Sequence, residues 1–198
     1  LPDEQVHTRL ALLTIQDFRN YDRCRLEIDA PRVLLLGENG SGKTNLMEAV
    51  SLLAPGRGLR RARAEHLPRQ TTGLAEWAVS ARLTSGGEMV TLGTGVRADS
   101  AGSRRVMRLD GETVSQAEVG RLFSVSWLTP RMDGIFIDSP SARRRFLDRL
   151  VIAFDPAHIG RTSRYEKMLR ERTTLLSEVR GDEAWLSAIE VSLAESAV

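Results

Sequence analysis

The sequence predicts an α/β chain built around a phosphate-binding loop, with an antiparallel sheet beside the loop and helices after it. Three observations carry this. GENGSGKT (37–44) lies between a continuous apolar run, VLLLG (33–37), and a helical stretch, TNLMEAVSLLA (44–54). Residues 9–28 and 77–109 alternate with period two, as half-buried strands do. Beyond residue 138 helix caps replace the alternation.

Taken in order, RLALLTIQDF (9–18) and RCRLEI (23–28) read as strands of a hairpin turned by Arg19 to Asp22. VLLLG follows Pro31 and fits a strand buried on both faces. The next helix repeats Leu46, Met47, Val50 and Leu53 at helical spacing and ends at Pro55-Gly56. Trp77, Val79, Ala81 and Leu83 share one strand face, Val90, Leu92, Thr94 and Val96 another, and SGGE (85–88) and LDGE (109–112) supply turns. SQAEVGRL (115–122) suits a short helix, and SVSWL (124–128) a further buried strand stopped by Thr129-Pro130.

Ser139-Pro140 and Asp155-Pro156 each pair an N-cap residue with proline at the first helical position. The helix expected over 156–179 carries Tyr165, Met168, Leu169, Leu175, Leu176 and Val179, and Gly181-Asp182 reads as a stop followed by a new cap. The last helix carries Trp185, Ile189 and Leu193 and is expected to pair antiparallel with it. Ala197-Val198 has neither cap nor turn chemistry, so the chain is expected to be cut from a longer one.

Composition bounds the function classes. A chain of 198 residues, 41% apolar, holds one to two domains and can bury a sizeable core. The N-terminus lacks signal-peptide regions and no run approaches a membrane span, so a cytosolic location is expected. One cysteine, Cys24, builds neither a disulfide nor a zinc framework and suits a strand position. His7, His66 and His158 have no metal-ligand spacing and read as surface or satisfied polar residues. The net charge of +2 names no nucleic-acid partner, but Lys43 and Lys167 are the only lysines, and arginines crowd into 57–69, 103–108 and 142–149. Ordinary solvated helix faces account for such runs as well as a binding surface does.

GENGSGKT matches G-x-x-x-x-G-K-[ST] in its proper setting, between a strand and a helix. Gly37, Gly40 and Gly42 let the backbone turn, so that successive N–H groups from Gly37 through Glu38, Asn39 and Ser41 to Lys43 converge on phosphate oxygens. Lys43 is placed to reach the β- and γ-phosphates, and Thr44 to offer its hydroxyl to Mg²⁺. Hydrolysis also needs a carboxylate at the end of a second buried strand. Asp110 in VMRLDGE, Asp138 in IFIDSP and Asp148 in RRFLDRLV imitate it, and each has a better reading as turn, cap or helix residue. LTSGGE (83–88) approaches an LSGGQ-like signature but joins two alternating strands, which makes it a tight turn.

ALLTIQDFRNYDRCRLEI, VLLLGENGSGKTNLMEAVSLLAPGRGLR, WLTPRMDGIFIDSPSARRRFLDRLV and DPAHIGRTSRYEKMLRERTTLL resemble, in order, the N-terminal half of the RecF DNA replication and repair family. The resemblance implies an α/β P-loop NTPase of ABC-ATPase type related to SMC heads. Residues 1–125 would form lobe I, a mixed and antiparallel sheet around the P-loop helix, and 126–198 the start of a helical lobe II. It further implies ATP with Mg²⁺, ATP-dependent homodimerisation, weak DNA-dependent ATPase activity in the full-length protein, DNA binding at single-strand/double-strand gap junctions, and cooperation with RecR and RecO in loading RecA during repair, replication and the SOS response. Signature and acidic strand would lie in the other half, so this chain is expected to hold ATP without hydrolysing it alone.

Residue by residue, the resemblance places Asn39 and Asn45 beside the phosphates and Arg19 with Asn20 near the nucleotide. In TPRMD, where the family directs a glutamine or acid toward the magnesium, Arg131 intervenes and Asp133 is the available acid. Arg57, Arg60, Arg61 and Arg63 fall where related heads place a basic loop touching DNA or nucleotide, and arginine forks suit phosphate. Two other readings stand beside this one: another P-loop ATPase or small-molecule kinase, which needs an acceptor pocket and lid, and an SMC-like structural head, which needs a long heptad arm after residue 160.

Overall fold

The computed structural model describes residues 8–70, 76–85, 87–96, 105–177 and 183–196. The chain divides into two compact units, Leu1–Pro130 and Arg131–Val198.

In the first unit, alternating sequence becomes a six-stranded sheet. Its strands are β1 (Arg9–Phe18), β2 (Tyr21–Glu27), β3 (Trp77–Ser85), β4 (Glu88–Val96), β5 (Val106–Leu109) and β6 (Glu112–Val114), in the order β2-β1-β3-β4-β5-β6. Every pairing is antiparallel. One face carries Leu13, Ile15, Val79, Ala81, Leu83, Leu92 and Met107, and it packs on Leu46, Ala49, Leu52 and Leu53 of helix α1 (Lys43–Leu53) and on Val119 of α2 (Gln116–Leu122). Burying a leucine of this kind contributes about 2 kcal/mol, so α1 is anchored by its apolar stripe rather than by helix propensity. Phe18 and Trp77 close the core with ring centroids 5.5 Å apart.

Turn chemistry sets the register. Asp110-Gly111 makes the two-residue β5–β6 loop, both residues at positive φ (48° and 93°), and the Asp110 carboxylate accepts a hydrogen bond from the Thr91 amide at 2.7 Å. Ser85 pairs with Glu88, so LTSGGE is a hairpin turn; Gly86 within it lies outside the described residues. The β1–β2 loop is tighter than expected, Arg19-Asn20 alone, because Phe18 already pairs with Tyr21.

The C-terminus of α1 is held by an arginine. Arg105 donates from Nη2 to the carbonyls of Leu52 (2.5 Å) and Ala54 (3.3 Å), from Nη1 to Gly56 (2.5 Å) and from Nε to Thr94 Oγ1 (2.8 Å). Burial lowers its pKa to about 10, which leaves it charged at neutral pH at the negative end of the helix. Arg104 of the same run lies outside the described residues. A capping box opens α2: the Ser115 hydroxyl accepts from the Glu118 amide and the Glu118 carboxylate from the Ser115 amide, which holds the Glu118 carboxyl below its ordinary range.

Two expected strands are absent. Residues 33–37 join no strand ladder, and Val33, Leu34 and Leu36 are 53%, 79% and 81% exposed. SVSWL likewise joins no strand ladder, with Leu128 exposed. The physical reason is that a strand buried on both faces needs hydrogen-bonded strands on either side, and among the described residues the six strands pair with one another and not with these segments.

The second unit holds α3 (Pro140–Phe154), α4 (His158–Ser177) and α5 (Glu183–Ser196). Ser139 caps α3, accepting from the Ala142 amide at 3.3 Å, with Pro140 at the first position. Asp155 terminates α3, and α4 starts at His158, two residues after the expected Pro156. The Arg161 guanidinium, in contact with Asp155, holds that carboxyl below its ordinary range. His158 Nε2 meets Asp148 Oδ1 at 2.9 Å, joining α4 to α3, and Arg144 lies 4.7 Å over the Tyr165 ring. Ile189 and Leu193 are buried, whereas Trp185 of the same expected stripe is exposed. Val179, Gly181 and Asp182 lie outside the described residues, as does His7.

Candidate functional site

The phosphate loop leads into α1 through Gly42, whose φ of +104° starts the helix; the first helical bond runs from the Leu46 amide to the Gly42 carbonyl at 3.0 Å. A Cβ at Gly42 would lie 2.6 Å from Asn20 Nδ2 and 2.9 Å from Tyr21 Oη, so glycine is required there on two counts. The amides of Lys43, Thr44 and Asn45 precede the first intrahelical bond and have no acceptor within the helix. Gly40, Ser41 and Thr44 are exposed, and a Cβ built on Gly40 meets nothing within 4 Å. Lys43 Nζ donates to the carbonyls of Gly37 and Glu38, both at 2.6 Å, which holds a cation across the loop. Open space, orphan helix amides and a bridging ammonium together fit a polyphosphate chain, with Thr44 Oγ1 exposed for a cation.

Three consecutive residues, the turn pair Arg19-Asn20 and Tyr21 at the start of β2, fasten this loop from behind. Arg19 Nη2 and Nε donate to Glu48 Oε1 and Oε2 at 2.8 and 3.0 Å, Asn45 Nδ2 donates to Asn20 Oδ1 at 2.8 Å, and Tyr21 Oη donates to the Gly42 carbonyl at 3.2 Å. Residues 42, 45 and 48 are three apart and form one face of α1, so the β1–β2 turn docks along it like a rail. Burial, and secondarily Cys24, raise the Tyr21 phenol, keeping it a neutral donor. Arg19 adopts φ 56°, and its Nη1 also donates to the His66 carbonyl at 2.8 Å.

From the expected basic loop, Arg60 turns onto this face. Its Nη1 donates to Asn45 Oδ1 at 2.5 Å and to Glu48 Oε2 at 2.9 Å. The loop itself is pinned to α1 by Ser51, whose hydroxyl accepts from the Leu59 amide at 2.7 Å and donates to the Glu48 carbonyl at 2.7 Å. Arg57, Arg61 and Arg63 are exposed, Arg63 within 3.5 Å of Glu65. Arg19, Asn20, Lys43, Asn45 and Arg60 thus gather around the first turns of α1, whereas Asn39 is exposed on the loop and Asp133 is exposed in the second unit, after the single 3-10 turn Pro130–Met132. Sequence reasoning missed Glu48 and Tyr21. A carboxylate on the apolar stripe of α1, three residues past Asn45, was the available signal.

A family model described as an AAA domain matches residues 12–95, from β1 to the end of β4. The DNA replication and repair protein RecF of Caulobacter vibrioides is 46% identical over 195 residues, covering 94% of this chain. The chain belongs to the RecF family. It matches the N-terminal half and spans about half the length of the curated relatives, 50% of the Caulobacter protein and 50% of the RecF of Agrobacterium fabrum, which is also 46% identical. A solved structure described as the recombination mediator protein RecF-ATPrS in the RecFOR pathway superposes with a TM-score of 0.83 at 25% identity, over 96% of this chain and 51% of that one. A RecF-ATP structure, 24% identical, gives the same TM-score and the same fold. The fold of this RecF chain is accordingly that of an ABC-type P-loop ATPase lobe, an antiparallel sheet with helices.

Proposed function

We propose that this chain is the nucleotide-binding half of a RecF-type DNA repair and replication protein, holding ATP·Mg²⁺ in residues 37–45. The observation that carries the reading is the loop itself: Lys43 spans it, Gly42 admits no side chain, Gly40 borders open space, and the first amides of α1 have no acceptor within the helix. RecF relatives solved with ATP and with ATPrS support the choice of nucleotide. Lys43 would exchange the Gly37 and Glu38 carbonyls for phosphate oxygens, and Thr44 would take the magnesium. Arg19 and Asn20 act through Glu48 and Asn45 in this reading, behind the phosphates.

In the whole protein, ATP would bring two copies together, DNA would meet the basic loop, and RecR and RecO would be partners in placing RecA at gaps, in the cytosol. Among the described residues no helix is long and apolar enough to cross a membrane. The unpaired segment 33–37 would pair with strands from the half of the protein that the curated relatives have in addition. Hydrolysis would wait for that half as well: Asp110 is in a turn, Asp138 accepts from the Ser139 amide, and Asp148 meets His158.

The test is a titration of a fluorescent ATP analogue with magnesium, beside an ATPase assay and duplex DNA binding over a salt series. Saturable nucleotide binding with negligible turnover is expected. Absence of saturable binding overturns the reading, and turnover lost in Lys43→Ala would reveal an acidic strand in this chain. For DNA, replacing Arg57, Arg61 and Arg63 together by alanine is expected to weaken duplex binding roughly tenfold or more and to flatten the log–log salt slope by up to about 3, one per lost phosphate contact. An unchanged slope would remove the loop from the DNA surface.

A further inference from the structure

Glu48 is a buried carboxylate that the phosphate-loop motif does not use. It is 1% exposed, on a helix whose other buried side chains are Leu46, Ala49, Ser51, Leu52 and Leu53. A lone charge there would be strongly unfavourable, and this one is compensated by two guanidinium groups, Arg19 from the β1–β2 turn and Arg60 from the basic loop. Two cations on one anion leave a net positive charge beside the phosphate loop. Arg60, held this way, also reaches Asn45 Oδ1, while Asn20 receives the Asn45 amide. Both polar ends of Asn45, the residue after Thr44, are therefore fixed by groups that Glu48 orders directly or through the turn.

We propose that Glu48 is a positioning residue of the nucleotide site, which sets the first turn of α1 by locking Arg19 and Arg60 against it, and that Arg60 belongs to this lock rather than to the DNA-facing part of its loop. The proposal rests on the ATP reading above. A side chain that supports others from behind acts by pre-organising them, so its removal loosens Asn45 and the adjacent Thr44 without removing any group that touches phosphate. Glutamine at 48 keeps the shape and loses the charge, leaving Arg19 and Arg60 without their shared anchor.

The experiment measures the affinity of the fluorescent ATP analogue with magnesium for the wild-type chain, Glu48→Gln, Arg60→Ala and the double variant, each checked for a cooperative melt. Glu48→Gln is expected to weaken binding about tenfold, Arg60→Ala about threefold, and the double variant no more than Glu48→Gln alone, because both act through one lock. A merely structural carboxylate would give losses that multiply. A folded Glu48→Gln that binds like wild type, or losses that multiply, would overturn the proposal. Should Glu48→Gln not fold, Arg60→Ala decides: its guanidinium lies at the exposed rim, and wild-type affinity there overturns the lock. If the wild-type chain binds no analogue, the ATP reading falls, and with it the role of Glu48; failure confined to the variants leaves the ATP reading standing.

Discussion

Arg105→Met is expected to destabilise the sheet-bearing unit by about 3 kcal/mol. Methionine restores apolar contact but leaves the carbonyls of Leu52, Ala54 and Gly56 without the donor that now serves all three, and a buried unsatisfied acceptor costs about 1–3 kcal/mol. The negative end of α1 also loses its cation, a further ~0.3–1 kcal/mol. Arg105→Lys keeps the charge but not the planar fork, so an intermediate loss is expected. Denaturant midpoints followed by circular dichroism measure both. A Met variant as stable as wild type would mean that water replaces the guanidinium at the end of α1.

Gly42→Ala is expected to have the largest effect on the site. The new methyl would collide with Asn20 and Tyr21 at 2.6 and 2.9 Å, and φ of +104° is strained for alanine besides, so a loss of about 2–3 kcal/mol in stability and loss of nucleotide binding are expected together. Gly40→Ala is the matched control. It shares a positive φ, 86°, but has open space around it, so it is expected to lose only about 1 kcal/mol of stability. Equal destabilisation by the two variants would show that backbone strain alone matters and that the β1–β2 turn does not press on the loop.

These two positions illustrate what was legible. The need for glycine at 42 follows from the motif, but its neighbours Asn20 and Tyr21 are more than twenty positions away and meet it only when the β1–β2 turn folds onto α1. Period-two alternation located β1, β3 and β4, and Asp110-Gly111 located the β5–β6 turn, because local sterics decide both. Reading buried strands from 33–37 and 124–128 failed. An apolar run states that a segment wants two covered faces, but whether strands flank it is a non-local matter, and among the described residues none does. Arg60 shows the limit for charge: its run reads as a polyanion surface, yet its guanidinium turns inward to a carboxylate that the apolar pattern of α1 conceals. Arg105, likewise one of a run of arginines, became a helix cap.

In the proposed function this chain grips a nucleoside triphosphate through Lys43 and the loop ahead of α1. The most direct measurement is the equilibrium affinity for ATP·Mg²⁺ of the wild-type chain beside Lys43→Ala, by calorimetry at fixed ionic strength. Saturable one-site binding that falls at least about 30-fold in the variant is expected, since a charge-assisted contact to phosphate contributes about 2 kcal/mol. Equal affinities for the two proteins, or no saturable binding to the folded wild-type chain, would contradict it.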